Sequence, residues 1–415
     1  MKQLNLIAPT ALDARIQLPS SKSLCNRALV LHALAKGQCL PGNLSDCDDT
    51  RVMVRALREM TPVIDILAAG TAMRFLTAYL SVTPGTHVLT GTERMRQRPI
   101  RILVDALRQL GARIDYVENE GFPPLRVTGG TLHESRITLP GNVSSQYISA
   151  LLMIAPVLEN GLTLTLTGEI VSRPYIDMTL RLMREFGASA CWTAENELQV
   201  DPQPYCPTPY TVESDWSAAS YWYELLALAP QGGTVVLPGL KADSPQGDAR
   251  IAKLFLPLGV ATEFTAEGVR LTRTARTAER IDTDFTHQPD MAQTFVVTCA
   301  LLGVPFRFSG LQSLKIKETD RMAALIAEMR KLGYVLHESD GSVLSWDGGR
   351  CPEEKATGID TYEDHRMALA FAPAAFLHEG LRIHRPDVVS KSYPHYWEDL
   401  EKVGFRLEEK EVEQC

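Results

Sequence analysis

Four stretches of the sequence place small polar residues, in three cases with cations, where an apolar helix begins. They read SSKSLCNR from Ser20, AGTAMR from Ala69, VSSQ from Val143 and EDHRMA from Glu363. Unpaired backbone N–H groups and the helix dipole attract anions to such a start. A guanidinium in a first turn opposes the dipole, so Arg366 favours an anion bound beside it. Each start alone is also compatible with a plain N-cap, but four in the same slot favour anion binding.

Two further clusters are rich in cations. The stretch RMRQRPIR carries Arg94, Arg96, Arg98 and Arg101. Arginine clamps phosphate or carboxylate in a bidentate manner, although a solvated loop is the alternative. The stretch KIKETDR from Lys315 opens a helix that Thr319 or Asp320 could cap, and an exposed charged helix start is its alternative.

A few carboxylates stand among these cations. Asp290 in HQPDMAQ precedes an apolar helix, where it is either a reactive carboxylate or a cap. Glu318 lies between Lys317 and Arg321 and is either a general acid or an ion-pair partner. The combination predicts acid–base catalysis on small polyanionic molecules, with His365 and Lys391 as further groups near anionic oxygens.

The elements that position these residues repeat along the chain. An apolar helix, a Gly or Pro turn and a β-rich run recur six times, with a period near 73 residues and a shortened first repeat. A second, amphipathic helix ends before a glycine in five repeats, which predicts left-handed helix caps at Gly111, Gly187, Gly259, Gly333 and Gly404. The alternating run TLTLTLTG predicts a strand with one wet face. Three repeats precede a Pro-rich break near residue 212 and three follow it, which predicts two domains.

Composition excludes several classes of protein. The 415 residues include 42 Lys and Arg against 50 Asp and Glu, a net charge of −8, which disfavours nucleic-acid and membrane partners. We find no apolar run of membrane length and no signal peptide, so we expect a cytoplasmic protein. The eight cysteines form no CxxC pair, which disfavours a zinc site, and the absence of GxGxxG and P-loop motifs disfavours a nucleotide cofactor.

The motifs SSKSLCNR, AGTAMR, RMRQRPI, VSSQ, VSRPYID, KETDR, EDHRMA and SKSYP, in this order, resemble the 3-phosphoshikimate 1-carboxyvinyltransferase (5-enolpyruvylshikimate-3-phosphate synthase) family of enolpyruvyl transferases. The resemblance covers essentially the whole chain. It implies an α/β (α+β) fold in the form of a two-domain inside-out α/β barrel, with three βαβαββ-like repeats of buried parallel helices per domain. The implied domains are residues 20–212 and 213–415, the second completed by residues 1–19, with the active site in the interdomain cleft.

The resemblance also implies the reaction and its residues. The enolpyruvyl group of phosphoenolpyruvate moves to the 5-hydroxyl of shikimate 3-phosphate with release of phosphate, in the shikimate pathway of aromatic amino acid biosynthesis. The implied catalytic residues are Asp290, Glu318 and Lys22. The implied contacts of shikimate 3-phosphate are Lys22, Ser23, Arg27, Ser144, Ser145, Gln146, Ser172, Tyr175, Asp290, Ser313 and Lys317. The implied contacts of phosphoenolpyruvate are Lys22, Gly70, Arg98, Gln146, Arg321, His365, Arg366 and Lys391.

The resemblance implies no metal or organic cofactor, and we expect a monomer. In this reaction Asp290 would take the 5-hydroxyl proton, Glu318 would exchange a proton with the methylene carbon, and Lys22 would assist. The sequence departs from the family pattern in three places: Ala68 and Ser313 replace the usual Asn residues, and the stretch from Arg51 to Asp65 is short.

Three alternatives remain at this point. UDP-N-acetylglucosamine enolpyruvyltransferase shares the fold and the phosphoenolpyruvate donor of this family. It usually carries a reactive Cys in the loop that here reads GTERMRQRPI, which contains none. A catalytically silent anion-binding scaffold would keep its arginines and lose its carboxylates, yet Asp290 and Glu318 are present. A basic repeat protein that binds nucleic acid conflicts with the net charge of −8.

Overall fold

The computed structural model describes residues 2–354 and 358–411. The chain divides into two compact units, which we call the N-terminal unit (Ser20–Val212) and the C-terminal unit (Met1–Pro19 with Glu213–Cys415). The break in the chain between them therefore falls at the Pro-rich segment that ends the third repeat.

Two kinds of helix alternate along the chain, as the pattern of apolar residues predicts. In α3 every residue from Gly70 to Ser81 is buried, and in α10 and α12 all residues are buried, whereas α2, α5 and α7 bury one face. The helices are α1 Lys22–Leu34, α2 Asp48–Glu59, α3 Gly70–Val82, α4 Glu93–Arg96, α5 Arg101–Gln109, α6 Ser145–Ile154, α7 Arg173–Glu185, α8 Trp216–Leu228, α9 Ile251–Leu254, α10 Ala292–Leu301, α11 Arg321–Lys331, α12 His365–Phe371 and α13 Tyr396–Lys402.

The strands form one small sheet for each repeat after the first. They are β1 Lys2–Ile7, β2 Ala14–Arg15, β3 Val63–Asp65, β4 Thr86–Thr90, β5 Arg113–Tyr116, β6 Leu125–Thr128, β7 Arg136–Pro140, β8 Leu162–Thr167, β9 Ala190–Ala194, β10 Glu197–Val200, β11 Thr234–Pro238, β12 Val260–Phe264, β13 Gly268–Arg273, β14 Ile281–Asp284, β15 Phe306–Ser309, β16 His337–Ser339, β17 Val343–Trp346, β18 Leu381–His384 and β19 Arg406–Glu411.

Three of the four four-stranded sheets are each built from one βαβαββ segment, and the fourth takes its first strand, β2, from the amino-terminal segment. In the order β3-β4-β6-β5, β3 and β4 are parallel because the buried helix α3 crosses between them, and the remaining pairs are antiparallel. The sheets β7-β8-β10-β9, β12-β13-β11-β2 and β14-β15-β17-β16 repeat this plan. In the last sheet, β18-β1-β19, the amino-terminal strand β1 supplies the final strand of the sixth repeat.

The first repeat departs from the sequence prediction. We expected a β-rich run after its buried helix, but residues 35–47 form turns and a single bridge between Gly42 and Thr211. This connection is short and contains Gly37, Pro41 and Gly42, residues that disfavour strands. The first repeat is therefore reduced to α1 and the amphipathic α2.

Four of the five predicted glycine caps are confirmed by the backbone, whereas Gly259 ends a turn that follows α9, whose last residue is Leu254. Gly111, Gly187, Gly259, Gly333 and Gly404 all have positive φ angles between 87° and 104°. Residues with a Cβ avoid this region, so these positions require glycine. The alternating run Leu162–Thr167 is also confirmed as a strand with one buried face.

Each unit has its own core of buried helices. In the N-terminal unit α1, α3 and α6 contact one another, and in the C-terminal unit α8, α10 and α12 do so. Each set of three is surrounded by the apolar faces of the sheets and outer helices of its own unit. Within the described ranges, no helix has the length and apolarity that crossing a membrane requires.

One buried carboxyl in the C-terminal core makes stability depend on pH. Glu224 in α8 is fully buried, and burial raises its pKa well above the ordinary value. The folded chain therefore keeps a proton that the unfolded chain loses above about pH 4.5, so rising pH removes about 1.4 kcal/mol of stability per pH unit until the folded pKa is reached.

Glu224→Gln should remove this dependence. We expect the unfolding free energy of Glu224→Gln, relative to that of wild type, to rise by about 1–3 kcal/mol from pH 5 to pH 7. Urea unfolding at both pH values measures this difference. A difference that stays constant with pH would contradict the buried-acid assignment.

Candidate active site

The start of α1 presents the first group of predicted site residues. Ser21 caps the helix, with the Leu24 N–H 3.5 Å from its Oγ. Lys22 follows at the first helical position, with its Nζ 3.5 Å from Oδ2 of Asp49. A cation at this end is unfavourable for the helix dipole, and the Asp49 carboxylate offsets that cost.

Arg27 lies one turn further into the helix and is only 2% exposed. Its guanidinium donates to the Ser23 carbonyl at 2.9 Å, to Thr179 Oγ1 at 2.7 Å and to Ser149 Oγ at 3.1 Å. Burial lowers the pKa of Arg27 to about 10, so it remains a cation near neutral pH. The structure thus shows Arg27 tying α1 to α6 and α7, and its contact with a substrate stays a prediction.

The start of α3 brings two guanidinium groups to Gly70. A Cβ at this position would lie 2.7 Å from Nη1 of Arg98 and 3.0 Å from Nη1 of Arg74. Arg74 also donates to the Gly70 carbonyl at 2.9 Å. The absence of a side chain at Gly70 is therefore what allows Arg98 to approach this helix start.

The arginine cluster RMRQRPIR is divided by the structure. Arg96 pairs with Glu118 at 3.1 Å and Arg101 pairs with Glu120 at 2.8 Å, both on the exposed surface. Arg98 instead points to the start of α3. Arg96 and Arg101 therefore form surface ion pairs, at the end of α4 and the start of α5 rather than in a loop, and the anion-binding interpretation fits Arg98.

The starts of α6 and α7 carry the remaining predicted residues of the N-terminal unit. Ser144 caps α6 by accepting from the Gln146 N–H at 3.3 Å, and Gln146 Nε2 reaches Thr71 Oγ1 of α3 at 3.3 Å. Ser145 is buried in the same turn. The starts of α3 and α6 are thus adjacent, which places the predicted groups of these two motifs together.

Two more of these residues open α7. Ser172 precedes the helix with a φ of +55°, a left-handed conformation that costs a residue with a Cβ about 1–3 kcal/mol. Tyr175 follows in the first turn, and its carbonyl accepts from Thr179 Oγ1 at 2.9 Å.

Asp290 is the centre of the predicted site in the C-terminal unit. Its carboxylate lies 2.9 Å from Nη1 of Arg321, 3.0 Å from Nη2 of Arg366 and 3.4 Å from Nζ of Lys317. It makes no cap bond to α10, which begins at Ala292 after a turn of 3-10 helix. The alternative interpretation of Asp290 as a structural cap is therefore wrong.

The surrounding cations control the charge of Asp290. Burial opposes its ionisation, but Arg366, Lys317 and Arg321 outweigh burial and hold the pKa of Asp290 well below its usual range. Burial lowers the pKa of Lys317, although the Asp290 carboxylate counteracts this shift. Asp290 is therefore a carboxylate across the physiological pH range.

Glu318 occupies a second position between cations. One oxygen lies 2.8 Å from Nζ of Lys391 and the other 3.0 Å from Nη2 of Arg321. Asp320 accepts from the Ala323 N–H at 3.1 Å, which confirms it as the cap of α11. Asp320 is thus the residue that caps α11, and the Glu318 carboxylate contacts the same arginine as Asp290.

The sequence argument did not identify Asp364 as a partner of Arg321. This residue is fully buried, and its two oxygens accept from Nε and Nη2 of Arg321 at 2.6 and 3.2 Å. It also caps α12 by accepting from the Arg366 N–H at 2.9 Å. Its position in the motif EDHRMA was the available signal, but the sequence does not distinguish a helix cap from an ion-pair partner.

The start of α12 completes this cluster. Arg366 donates to Tyr221 Oη at 3.2 Å as well as to Asp290, so the anion that a first-turn arginine requires is supplied here by a protein carboxylate. His365 is buried, with Nδ1 3.7 Å from the Asp364 carboxylate. Ser313 lies partly exposed in the 3-10 turn that leads to Lys317.

Chemically, each unit offers an anion-binding surface of its own. The N-terminal unit carries Lys22 and Arg98 beside helix starts whose backbone N–H groups could hold an anion, that of α3 without a side-chain cap and that of α6 capped by Ser144. The C-terminal unit holds Lys317, Arg321, Arg366 and Lys391 against two carboxylates that can act as proton acceptor and donor. In the described part of the chain, no group of three His, Cys, Asp or Glu side chains is arranged to hold a metal ion.

Comparison with known proteins identifies the family. The profile of EPSP synthase (3-phosphoshikimate 1-carboxyvinyltransferase) matches residues 6–65 and 61–400. A 3-phosphoshikimate 1-carboxyvinyltransferase of Bacteroides fragilis is 66% identical over 402 residues, which are 97% of this chain and 98% of that protein. The chain belongs to the EPSP synthase family. The enzyme of the same name from Vibrio cholerae is 37% identical, over 97% of this chain and all of that protein.

The fold agrees with a solved EPSP synthase. The structure of the enzyme from Acinetobacter baumannii superimposes with a TM-score of 0.79 at 21% identity, covering 99% of this chain and 100% of that chain. The predicted two-domain α/β fold, the family resemblance and the prediction of a 3-phosphoshikimate 1-carboxyvinyltransferase are therefore confirmed. The EPSP synthase family members found here are transferases, so the silent scaffold and the nucleic-acid repeat protein lose their support.

Proposed function

We propose that this chain transfers the enolpyruvyl group of phosphoenolpyruvate to the 5-hydroxyl of shikimate 3-phosphate, using residues of both units. Asp290 takes the hydroxyl proton while Glu318 gives a proton to the methylene carbon of phosphoenolpyruvate. The 5-oxygen then bonds to the adjacent carbon. Glu318 then takes a proton back from the new methyl group, the carbon–oxygen bond to phosphate breaks, and the proton held by Asp290 leaves with the phosphate, so the products are one enol ether and one phosphate.

The cluster around Asp290 is the observation that carries this proposal. It holds two carboxylates between four cations, and the cations match the phosphate and carboxylate of phosphoenolpyruvate. When these anions bind to Arg321, Arg366 and Lys391, the cations favour the ionised forms of Asp290 and Glu318 less strongly. Both groups then exchange protons more readily, which couples substrate binding to acid–base function.

We assign shikimate 3-phosphate to Lys22, Ser23, Arg27, Ser144, Ser145, Gln146, Ser172 and Tyr175, together with Asp290, Ser313 and Lys317. We assign phosphoenolpyruvate to Lys22, Gly70, Arg98, Gln146, Arg321, His365, Arg366 and Lys391. The starts of α1, α3, α6 and α7 in the N-terminal unit support the first assignment, because they combine hydroxyl, amide and cationic groups. That the site lies in an interdomain cleft stays a prediction.

We also propose that the enzyme works in the cytoplasm as a monomer. The net charge of −8 supports a protein that binds neither nucleic acid nor an anionic membrane surface. The substrates themselves are small anions, which the local cationic clusters attract despite the overall charge.

Phosphate release by the purified chain tests the proposed function. We expect release that requires both phosphoenolpyruvate and shikimate 3-phosphate, with stoichiometric 5-enolpyruvylshikimate 3-phosphate identified by mass spectrometry. UDP-N-acetylglucosamine offered as acceptor should give none. Absence of release above background with shikimate 3-phosphate would overturn the proposal, and release with UDP-N-acetylglucosamine would overturn the acceptor assignment.

A further inference from the structure

We propose that Asp49 is a positioning residue, which holds the Lys22 ammonium in the orientation that binds substrate. This inference rests on the proposed function in one respect, the role of Lys22 in contacting shikimate 3-phosphate. Asp49 belongs to none of the motifs that carry the family resemblance. It is assigned from its contact with Lys22, its burial and its place in the reduced first repeat.

The geometry of the pair fits positioning. Asp49 Oδ2 lies 3.5 Å from Lys22 Nζ, and the Asp49 side chain is 4% exposed while that of Lys22 is 16% exposed. At this distance the attraction is electrostatic and long for a direct hydrogen bond, and an ammonium has three donors. The carboxylate therefore restrains Lys22 at a distance that is compatible with donation from the ammonium to a phosphate or hydroxyl oxygen.

Lys22 needs such a restraint because of where it stands. It is the first residue of α1, where the helix dipole repels a cation, and its side chain has four rotatable bonds. Without a nearby carboxylate, the ammonium gains by moving away from the helix start into water. The Asp49 carboxylate instead lies in the first turn of α2, where the dipole favours an anion.

The rest of the first repeat fixes Asp49 in place. Residues 35–47 join α1 to α2 directly, and this connection is tied down by the Ser45 N–H to Cys25 Sγ at 3.2 Å and by Asn43 Nδ2 to the Val212 carbonyl at 2.7 Å. Cys47 precedes Asp49, and burial and the Asp49 charge raise the pKa of its thiol while Lys22 lowers it. Both charges therefore lie near the buried Cys47 thiol.

Asp49→Asn tests the proposal, and Asp48→Asn is its matched control. Both aspartates are in the first turn of α2, but Asp48 is exposed. We expect Asp49→Asn to raise the dissociation constant of shikimate 3-phosphate about tenfold, measured by calorimetry, and Asp48→Asn to change it less than about twofold. Circular dichroism and urea unfolding of each variant establish that the chain is folded.

A double-mutant cycle separates positioning from a structural role. In the Lys22→Met background, Asp49→Asn should change the dissociation constant less than about twofold, because Asp49 acts through Lys22. An equal loss in both backgrounds would overturn the proposal, since it would show a structural effect. Unchanged or tighter binding by Asp49→Asn alone would also overturn it, since Asp49 would then compete with the substrate for Lys22. If Lys22→Met itself binds like wild type, the assigned contact of Lys22 is wrong, and phosphate release by wild type reports separately on the overall function.

Discussion

Asp290→Asn should lower kcat by about 10²–10⁴-fold and leave the KM for phosphoenolpyruvate unchanged or lower. The substitution keeps the shape of the side chain and removes the group that accepts the hydroxyl proton. It also removes a negative charge that contacts Arg321, Arg366 and Lys317, so these cations remain available for the substrate anions. Steady-state phosphate release with each substrate varied in turn measures both parameters.

The low pKa of Asp290 shapes this expectation. A carboxylate held well below its usual pKa is a weak base, so its function depends on the substrate reducing the influence of Arg366 and Arg321. Asp282→Asn, at an exposed position on β14, is the control and should leave kcat within about twofold. A kcat of Asp290→Asn near the wild-type value would exclude Asp290 as the base. A large rise in KM with little loss of kcat would show that Asp290 organises the cations instead.

The repeats of the fold could be predicted because the sequence signals for them are local. Helix burial, strand alternation and the four confirmed glycine caps each depend on residues that are near one another in the sequence. The sheet of the first repeat was predicted wrongly because the chain between α1 and α2 is too short and too rich in turn residues to pair. The shortness and composition of this connection therefore prevented the strand that its place in the repeat predicted.

The candidate site was predictable in residue type but not in pairing. The sequence shows Arg98 and Arg101 in one cluster, but only the structure shows that one approaches Gly70 and the other pairs with Glu120. Arg366 and Asp290 are 76 residues apart, and Arg321 and Asp364 are 43 apart. Residues so far apart in the sequence come into contact through the packing of one repeat against another. The residue pattern within each segment does not show which of them pair.

Arg321→Met should destabilise the C-terminal unit by about 3–5 kcal/mol. Arg321 is 2% exposed and contacts three carboxylates, of which Asp364 is fully buried. Removal of the guanidinium leaves the Asp364 charge buried without its closest cation, and the cost of that desolvation is no longer offset. Urea unfolding monitored by tryptophan fluorescence measures the loss.

The energetic link between Arg321 and Asp364 can be separated from the general cost of the substitution. Arg330→Met changes an exposed arginine of the same helix and should alter the unfolding free energy by no more than about 0.5 kcal/mol. Arg321→Met combined with Asp364→Asn should regain at least about 1 kcal/mol over Arg321→Met alone, because the buried charge is gone while the amide oxygen can still cap α12. If the double variant is no more stable than Arg321→Met, the two residues are not coupled. The destabilisation would then come from lost packing around Arg321, and the view of this arginine as the charge that holds the three carboxylates together would be wrong.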